Sequence, residues 1–290
     1  MILREKIGAA RVRLVAAGID GGEAARDAGL LARHVLGWDR AGLLANDDQP
    51  ATAQFIERFD PLVERRARRE PVAYIRGTQE FWNRDFVVTP AVLIPRPETE
   101  LIIEELLAKL PPGAPAMLRR IADIGTGSGC LAVTAAAERP YVEVTATDIS
   151  EPALRVAQEN AGRYGVADRI AFRESAYLTG AQGKFDFILS NPPYVTEREY
   201  QSLAPEVREY EPPSALVAGE DGFRDIRQIV DLATFYLTPG GTMLIEIGYE
   251  QADAVVDLVA GFPALTLVTI SNDLQNIPRV AVIERKIIGQ

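Results

Sequence analysis

The sequence predicts an α/β protein in two parts, a small N-terminal helical bundle and a larger domain built on a mostly parallel, doubly wound sheet. In residues 2–17, 23–36 and 51–69, apolar residues recur at helical spacing, with Gly-rich or Asp-rich breaks between these stretches. From residue 97 onward, strand-like apolar runs alternate with helical patterns. Such alternation is typical of a parallel sheet covered by helices on both faces.

The larger domain begins after a predicted β-hairpin. Two short β-like runs lie on either side of Asn83-Arg84-Asp85. Beyond them, the helices are predicted at 98–110, 131–138, from Pro152, at 223–237 and at 251–259, and the strands near Arg120, Val144, Ile170 and Phe187, at 242–247, and near Leu267 and Val282. We therefore expect a helical bundle at residues 1–74, a linker with the hairpin at 75–95 and the sheet domain at 96–290.

Composition limits the class of protein. The single cysteine, Cys130, excludes an internal disulfide and favours a reducing compartment. The N-terminus lacks the long apolar stretch of a secretory signal, and no apolar run approaches the length of a membrane span. We expect a soluble, cytoplasmic monomer that does not enter a membrane.

The net charge of −10 is concentrated in the larger domain. Residues 1–74 contain 12 Lys and Arg against 11 Asp and Glu, whereas residues 75–290 contain 19 against 30. An acidic domain repels phosphate backbones and favours basic partners. Nucleic acid is therefore not expected as the direct substrate, although a local basic patch could override the net charge. The arginine-rich run at 65–69 is either such a contact surface, for RNA or for an acidic partner, or a solvated helix face.

A glycine-rich turn follows the first strand of the larger domain. Residues 121–130 read Ile-Ala-Asp-Ile-Gly-Thr-Gly-Ser-Gly-Cys, and an Ala-rich helical pattern comes next. Glycines let a backbone approach a ligand closely, and a helix N-terminus offers free N–H groups. Asp148 lies nineteen residues after Gly129, at the end of the second predicted strand. In nucleotide-binding folds of this kind, an acidic residue at that place accepts hydrogen bonds from the ribose hydroxyls. Because Cys130 occupies the place of the third glycine in the dinucleotide fingerprint, the turn favours another adenosine-containing ligand.

A second motif, Asn191-Pro192-Pro193-Tyr194, directly follows the strand-like run 185–190. The side-chain oxygen of Asn191 and the carbonyl of Pro192 can each accept one N–H of a planar amino group, which orients the nitrogen lone pair toward an electrophile. Prolines stiffen the loop, and Tyr194 offers a ring face for stacking. The tetrad predicts methyl transfer to an amide or exocyclic amino nitrogen; the alternative is a polar turn at the end of a strand.

The order Asp-x-Gly-x-Gly-x-Gly in the turn resembles the first motif of S-adenosylmethionine-dependent methyltransferases. The resemblance implies that S-adenosyl-L-methionine is the cofactor, that Asp148 holds its ribose, and that Asp123 and the glycine turn hold its methionine end. The predicted turn residues are Gly125, Thr126, Gly127, Ser128 and Gly129.

Further motifs resemble one family, the peptide-chain release factor glutamine methyltransferases. The most specific is Val-Leu-Ile-Pro-Arg-Pro-Glu-Thr-Glu at 92–100, followed by Tyr-Glu-Pro-Pro-Ser-Ala-Leu at 210–216, Pro-Gly-Gly at 239–241 and Glu-Ile-Gly at 246–248. The similarity covers almost the whole chain, although the helical segment matches in type more than in motif. It implies a Rossmann-like class I methyltransferase domain, with residues 1–74 recognising the substrate.

The resemblance also implies a reaction in translation termination. A methyl group passes from S-adenosyl-L-methionine to the side-chain amide nitrogen of the glutamine in the Gly-Gly-Gln loop of peptide-chain release factors. Asn191, Pro192 and Tyr194 are then catalytic, Pro193 joins them in binding the substrate, and Asn191 also contacts the cofactor. No metal is expected.

The resemblance is incomplete at the adenine site. Where the family has an acidic residue before an aromatic one, for the adenine amino group, this chain has Ser175-Ala176-Tyr177. Tyr177 can still pack on the adenine, so we expect binding with a contact weaker by about 1 kcal/mol.

Two alternatives remain open at this point. One is an N6-adenine or N2-guanine amino-group methyltransferase acting on DNA or RNA, which uses the same tetrad but needs a basic groove. The other is a cofactor-binding module without catalysis, which the intact tetrad disfavours.

Overall fold

The computed structural model describes residues 1–113 and 117–287, and these form two compact units. The first unit is Met1–Thr78 together with Ala204–Tyr210, and the second comprises the other described residues. The division after Thr78 comes four residues later than the predicted boundary, which falls inside the helix Val72–Arg76. The sequence did not indicate that a segment from the second half of the chain belongs to the first unit.

The first unit is helical. Its helices are α1 (Leu3–Ala16), α2 (Gly21–Leu36), α3 (Arg40–Ala45), α4 (Ala53–Ala67) and α5 (Val72–Arg76), with Pro205–Tyr210 added from the inserted segment. Side chains of Asp20 and Thr52 accept backbone N–H bonds at the starts of α2 and α4, which satisfies part of each helix N-terminus. The three predicted helices are present. The short helices α3 and α5 were missed because one or two turns are too few to show a period.

One arginine of the run 65–69 is buried in the first unit. Arg66 is 1% exposed, and its guanidinium donates to Asp27 Oδ2 at 2.7 Å, Glu23 Oε1 at 2.9 Å and Glu206 Oε1 at 2.8 Å. Glu206 belongs to the inserted segment, so this ion cluster anchors that segment to the helices. Neither interpretation of the arginine run fits Arg66, which is a structural residue inside the unit.

The second unit contains a hairpin and a seven-stranded sheet. The hairpin is β1 (Thr78–Phe81) and β2 (Arg84–Val87). The sheet strands are β3 (Arg119–Ile124), β4 (Val142–Asp148), β5 (Ile170–Glu174), β6 (Phe185–Ser190), β7 (Leu237–Glu246), β8 (Leu265–Asn272) and β9 (Pro278–Arg285). Their order is β5-β4-β3-β6-β7-β9-β8, in which β3 to β7 are parallel and β9 is antiparallel to both neighbours. The predicted mostly parallel sheet is confirmed.

Helices of the second unit connect these strands. They are α6 (Glu100–Lys109), α7 (Cys130–Glu138), α8 (Glu151–Arg163), α9 (Glu197–Tyr200), α11 (Arg224–Tyr236) and α12 (Ala252–Ala260), with α10 the inserted Pro205–Tyr210. Two separate clusters of buried apolar side chains form the core of this unit. Within the described parts of the chain, no helix is both long and apolar enough to cross a membrane.

The hairpin was predicted to be a linker, but it packs into the core of the second unit. Phe81 and Phe86 are completely buried, meet edge to face with ring centroids 6.0 Å apart, and belong to one of the two apolar clusters. Val87 exchanges two hydrogen bonds with the Asn160 side chain on α8. The β-like pattern identified the strands, whereas their attachment depends on partners that lie far along the chain.

The strand order places the two sequence motifs side by side. From β3, successive connections run toward β5 on one side and toward β8 on the other, so the direction of winding changes between β3 and β6. Ile124, the last residue of β3, lies opposite Ser190, the last residue of β6. Parallel sheets bind ligands at such a change, beyond the carboxyl ends of the strands. The glycine turn and the tetrad both begin there.

Candidate active site

A cavity of about 420 Å³ lies at the carboxyl ends of β3, β4 and β6. Many of the predicted site residues line it, namely Gly125, Thr126, Gly127, Ser128, Asp148, Tyr177, Asn191, Pro192 and Pro193. Among the described residues, Asp123, Gly129 and Tyr194 were also predicted but are not in its wall. The structure therefore brings the glycine turn and most of the tetrad to one cavity of a size typical for small-molecule sites.

Asp123 lies behind the glycine turn and organises it. This residue is 1% exposed, and its Oδ2 accepts from Thr126 Oγ1 at 2.6 Å and from the Ala132 N–H at 3.1 Å. Its Oδ1 is buried and has no hydrogen-bond partner among the described residues. Burial raises the pKa of Asp123 to about 7, although the two hydrogen bonds oppose this effect. This carboxylate oxygen therefore retains the capacity to accept a hydrogen bond.

Replacing Asp123 with asparagine should stabilise the ligand-free protein at pH 8 much more than at pH 5. A carboxyl with a raised folded pKa contributes stability at low pH that is lost as the pH rises through about 7, and asparagine has no such titration. We expect the difference in unfolding free energy to grow by about 3 kcal/mol between these pH values. Thermal unfolding across this pH range measures it, with the exposed Asp257→Asn on α12 as the control. A pH-independent difference would contradict the burial argument.

The glycine turn takes a backbone path that needs glycine. Gly125, Gly127 and Gly129 have φ of 71°, 54° and 79°, in the left-handed region. A Cβ on Gly129 would lie 3.0 Å from the Cβ of Ala157, so this glycine lets α8 pack closely. A Cβ on Gly125 would meet no heavy atom within 4 Å. The backbone at Gly125 therefore leaves open space for a ligand. Glycine thus serves two purposes in this turn: close packing of α8 at Gly129 and open space at Gly125.

Asp148 joins the turn to the end of β4. Its Oδ2 accepts the Gly127 N–H at 2.9 Å, and its Oδ1 accepts the Ser150 N–H at 2.9 Å. Burial raises the pKa of Asp148 above its ordinary value, against the effect of these bonds. Each carboxylate oxygen has a second lone pair, so both can still accept from a ligand. Asp148 is thus both a wall of the cavity and a support of the turn.

Tyr177 is held by a residue that the sequence reasoning missed. Its backbone has φ of 53°, and its hydroxyl donates to Asp225 Oδ1 at 2.7 Å. Asp225 lies in the first turn of α11, lines the cavity, and accepts from Arg224 Nη2 through its other oxygen at 2.9 Å. Burial, together with the Asp225 carboxylate, raises the pKa of Tyr177 to about 12. A carboxylate is therefore present beside Tyr177 although position 176 is alanine.

Asn191 is linked to a buried carboxylate through Thr99. Asn191 Nδ2 donates to Thr99 Oγ1 at 3.0 Å, and Thr99 Oγ1 donates to Glu246 Oε2 at 2.7 Å. Burial raises the pKa of Glu246 to about 7. Tyr194 directs its hydroxyl toward Glu246 Oε1 at 3.4 Å, which is long for a hydroxyl donor. Thr99 and Glu246 belong to the sequence motifs at 92–100 and 246–248, but nothing in the sequence indicated that either residue contacts Asn191.

Comparisons with known proteins agree with this architecture. A model of the PrmC N-terminal domain matches residues 6–77, and a model of the methyltransferase small domain matches residues 98–207. The release factor glutamine methyltransferase of Geobacter sulfurreducens is 45% identical over 77% of this chain and 76% of its own length. That of Cereibacter sphaeroides is 44% identical over 94% of both chains. This chain belongs to the release factor glutamine methyltransferase family.

Membership of this family confirms the predicted resemblance, and the protein is a methyltransferase. The fold is also similar to the crystal structure of a methyltransferase from Pyrococcus furiosus, with a TM-score of 0.51 and 19% identity over 72% of this chain and 91% of that one. At that identity the likeness concerns the fold alone. The predicted class I methyltransferase fold is likewise confirmed.

Proposed function

We propose that this member of the family transfers a methyl group from S-adenosyl-L-methionine to the side-chain amide nitrogen of the glutamine in the Gly-Gly-Gln loop of peptide-chain release factors. The observation that carries the proposal is the orientation of Asn191 in the cavity wall. Its Nδ2 is committed to Thr99, and no described residue donates to its Oδ1. The primary amide of a glutamine has two N–H donors and therefore requires acceptors such as this oxygen.

Three observations on the cavity fit the cofactor. The buried Asp123 Oδ1 without a donor suits the ammonium group of an amino acid. The open backbone at Gly125 leaves room for a ligand against the turn. Asp148 retains acceptor capacity for two hydroxyl groups of a ribose. A ligand with an amino acid at one end and a nucleoside at the other satisfies all three.

The same residues have separate roles in holding the cofactor. We assign the methionine end to Asp123 and the turn Gly125–Gly129, the ribose to Asp148, and the adenine to Tyr177, with Asn191 close to the reacting centre. The N–H groups of Gly125, Thr126 and Gly127 already donate to Thr147 O and Asp148, so they brace the turn rather than bind the ligand directly. When bound, S-adenosyl-L-methionine supplies a methyl group on a positively charged sulfur.

The tetrad orients the substrate nitrogen. The lone pair of an amide nitrogen is delocalised, so the enzyme gains most from holding it in one geometry. Asn191 Oδ1 and the Pro192 carbonyl each accept one N–H, and Pro193 adds stiffness without a competing donor. Tyr194 was predicted to stack on the planar amide. Burial raises the pKa of Tyr194, its hydroxyl points to Glu246, and it does not line the cavity, so we assign it to supporting the tetrad from behind the cavity wall.

The test uses a purified release factor that is unmethylated in its Gly-Gly-Gln loop. After incubation with the protein and S-adenosyl-L-methionine, peptide mass spectrometry should find one added methyl group on that glutamine. The Asn191→Ala variant should methylate it at least a hundredfold more slowly. If the glutamine stays unmodified while cofactor binding is measurable, the release factor is not the substrate and an amino group of DNA or RNA is tested next.

Replacing Asp148 with alanine should weaken S-adenosyl-L-methionine binding roughly 10- to 100-fold, because a hydrogen bond to a charged group contributes about 1.5–3 kcal/mol. Part of this loss in affinity comes from the glycine turn, because Asp148 also accepts the hydrogen bond of the Gly127 N–H. Isothermal titration calorimetry measures the dissociation constant, and Glu143→Ala, an exposed change on the same strand, is the control. An unchanged constant would remove Asp148 from the ribose site.

We also propose residues 1–74 as the part that recognises the release factor, since the match to the PrmC N-terminal domain covers nearly the same residues. We further propose that the protein acts as a monomer in the cytoplasm, where it would meet a substrate that works in translation termination. Measuring methylation by a protein without residues 1–74, against the isolated Gly-Gly-Gln peptide and the whole release factor, separates recognition from catalysis. A truncated protein that still preferred the whole release factor to the peptide as strongly as the full-length protein does would contradict this role.

A further inference from the structure

We propose that Thr99 is a positioning residue: together with Glu246, it sets which end of the Asn191 side-chain amide faces the substrate. The inference deepens the proposed function and rests on it, since it explains how Asn191 presents an acceptor to a glutamine amide. Asparagine alone does not encode this orientation, because its oxygen and nitrogen ends have nearly the same shape.

The fold brings these three groups together from distant parts of the chain. Asn191 directly follows β6, and Glu246 ends the neighbouring parallel strand β7, with Ser190 opposite Ile245 in the register. Both side chains therefore leave the same edge of the sheet. Thr99 comes from the short 3₁₀ turn Pro97–Thr99 that precedes α6. Thr99 and Glu246 are each 2% exposed, so water does not compete freely for their hydrogen bonds.

The hydroxyl of Thr99 makes the chain of hydrogen bonds directional. It has one proton, and an ionised carboxylate can only accept, so the 2.7 Å contact with Glu246 Oε2 uses that proton. Toward Asn191, Thr99 Oγ1 can then act only as an acceptor. Of the two ends of the Asn191 amide, only Nδ2 can donate to it, and the distance is 3.0 Å. A flipped amide would place Oδ1 against another acceptor with no proton between them. If the Thr99 hydroxyl instead donated to Asn191 Oδ1, the buried Glu246 oxygen would be left without its donor.

The orientation has a direct consequence for the reaction. With Nδ2 held by Thr99, Oδ1 is the end that remains for the N–H of the substrate. Without Thr99, the amide can rotate about a broad torsion and present N–H groups to an N–H donor for part of the time. Turnover should then fall roughly tenfold or more, since small errors in placing a reacting group cost one to two orders of magnitude.

The first experiment compares Thr99→Val with Thr99→Ser. Valine keeps the shape and removes the hydroxyl, whereas serine keeps the hydroxyl. We expect Thr99→Val to lower kcat on the release factor roughly tenfold or more, with the dissociation constant of S-adenosyl-L-methionine little changed, and Thr99→Ser to keep kcat near that of the wild type. A wild-type kcat for Thr99→Val, or an equal loss in Thr99→Ser, would overturn the proposal.

The matched control is Thr134→Val. Thr134 is also completely buried, and its hydroxyl has no partner among the described residues, so this variant makes the same chemical change without breaking the chain of bonds. Its kcat should equal that of the wild type. Assays at pH 8 keep Glu246 in its accepting form; nearby Arg279 favours the ionised carboxylate, nearby Glu98 opposes it, and the Thr99 and Tyr194 hydroxyls also face it.

A second readout does not depend on the substrate. In nitrogen-15 spectra, the side-chain amide of Asn191, assigned by its loss in Asn191→Ala, should shift and exchange its protons faster in Thr99→Val but not in Thr134→Val. An unmoved signal would contradict the proposed role of Thr99. If the signal moves as expected but the wild-type protein does not methylate the release factor, the proposed substrate is wrong and the orientation of Asn191 stands.

Discussion

Replacing Asn191 with alanine should lower turnover of the release factor glutamine a hundredfold or more, while the dissociation constant of S-adenosyl-L-methionine stays nearly unchanged. In the proposed mechanism the side-chain oxygen of Asn191 accepts from the substrate nitrogen and orients it, so its loss should act at the reacting atom. A hundredfold loss corresponds to about 2.7 kcal/mol of transition-state stabilisation. The wall of the cavity proposed for the cofactor consists mainly of other residues, among them Gly125, Asp148 and Tyr177.

Single-turnover methylation of the release factor, followed by mass spectrometry, measures this effect directly. Binding of the cofactor is measured separately by calorimetry on the same preparation. Asn272→Ala is the control, because this exposed asparagine lies on the edge strand β8 and its nearest hydrogen-bond partner is Asn276. Turnover at the wild-type rate in Asn191→Ala would show that another group orients the nitrogen.

The second large effect is on stability. Replacing Arg66 with methionine should lower the free energy of opening of the helical unit by about 3–5 kcal/mol, since removing one partner of a buried ion pair leaves an uncompensated charge. Asp27 is only 3% exposed and accepts its hydrogen bond from Arg66 Nε at 2.7 Å, whereas its other arginine neighbour, the exposed Arg26, lies at 3.7 Å. Glu206 would lose one of its two arginine partners and keep Arg69 at 2.7 Å.

Hydrogen exchange of peptides from α2 and α4, measured by mass spectrometry, reports the stability of this unit by itself. The neighbouring Arg68→Met is the control, because Arg68 is exposed and surface changes usually alter stability by less than about 0.5 kcal/mol. Adding Asp27→Leu to Arg66→Met should recover part of the loss, since an apolar pair needs no charge partner. Equal exchange in Arg66→Met and Arg68→Met would contradict a structural role for the buried cluster.

The helices and strands were largely predictable because their signals are local. A strand such as β6 is read from six consecutive residues, and the period of α2 is read from sixteen. Short elements carry too little signal, which is why α3 and α5 were missed. The attachment of the hairpin was also missed, because burial of Phe81 and Phe86 depends on residues such as Ile102 and Val133 in the same cluster.

The candidate site was predictable in part for the same reason. The glycine turn and the tetrad are continuous motifs, and each needs only its own residues and the strand before it. The carboxylate beside Tyr177 was not predictable, because it is Asp225, 48 residues further along the chain. The sequence showed only that Ala176 could not accept a hydrogen bond through its side chain.

The sequence by itself determined the fold class and the family resemblance, and it located the glycine turn and the Asn-Pro-Pro-Tyr tetrad. All of these depend on the order of residues within short segments, where chain connectivity already brings the groups together. Only the tertiary structure decided which side chains orient those motifs. Asn191 and Glu246 are close because β6 and β7 are neighbours in the sheet, and Thr99, which is 147 residues before Glu246, hydrogen-bonds to both. A hydrogen bond needs its partners within about 3 Å, and that distance is set by strand order and packing rather than by spacing along the chain.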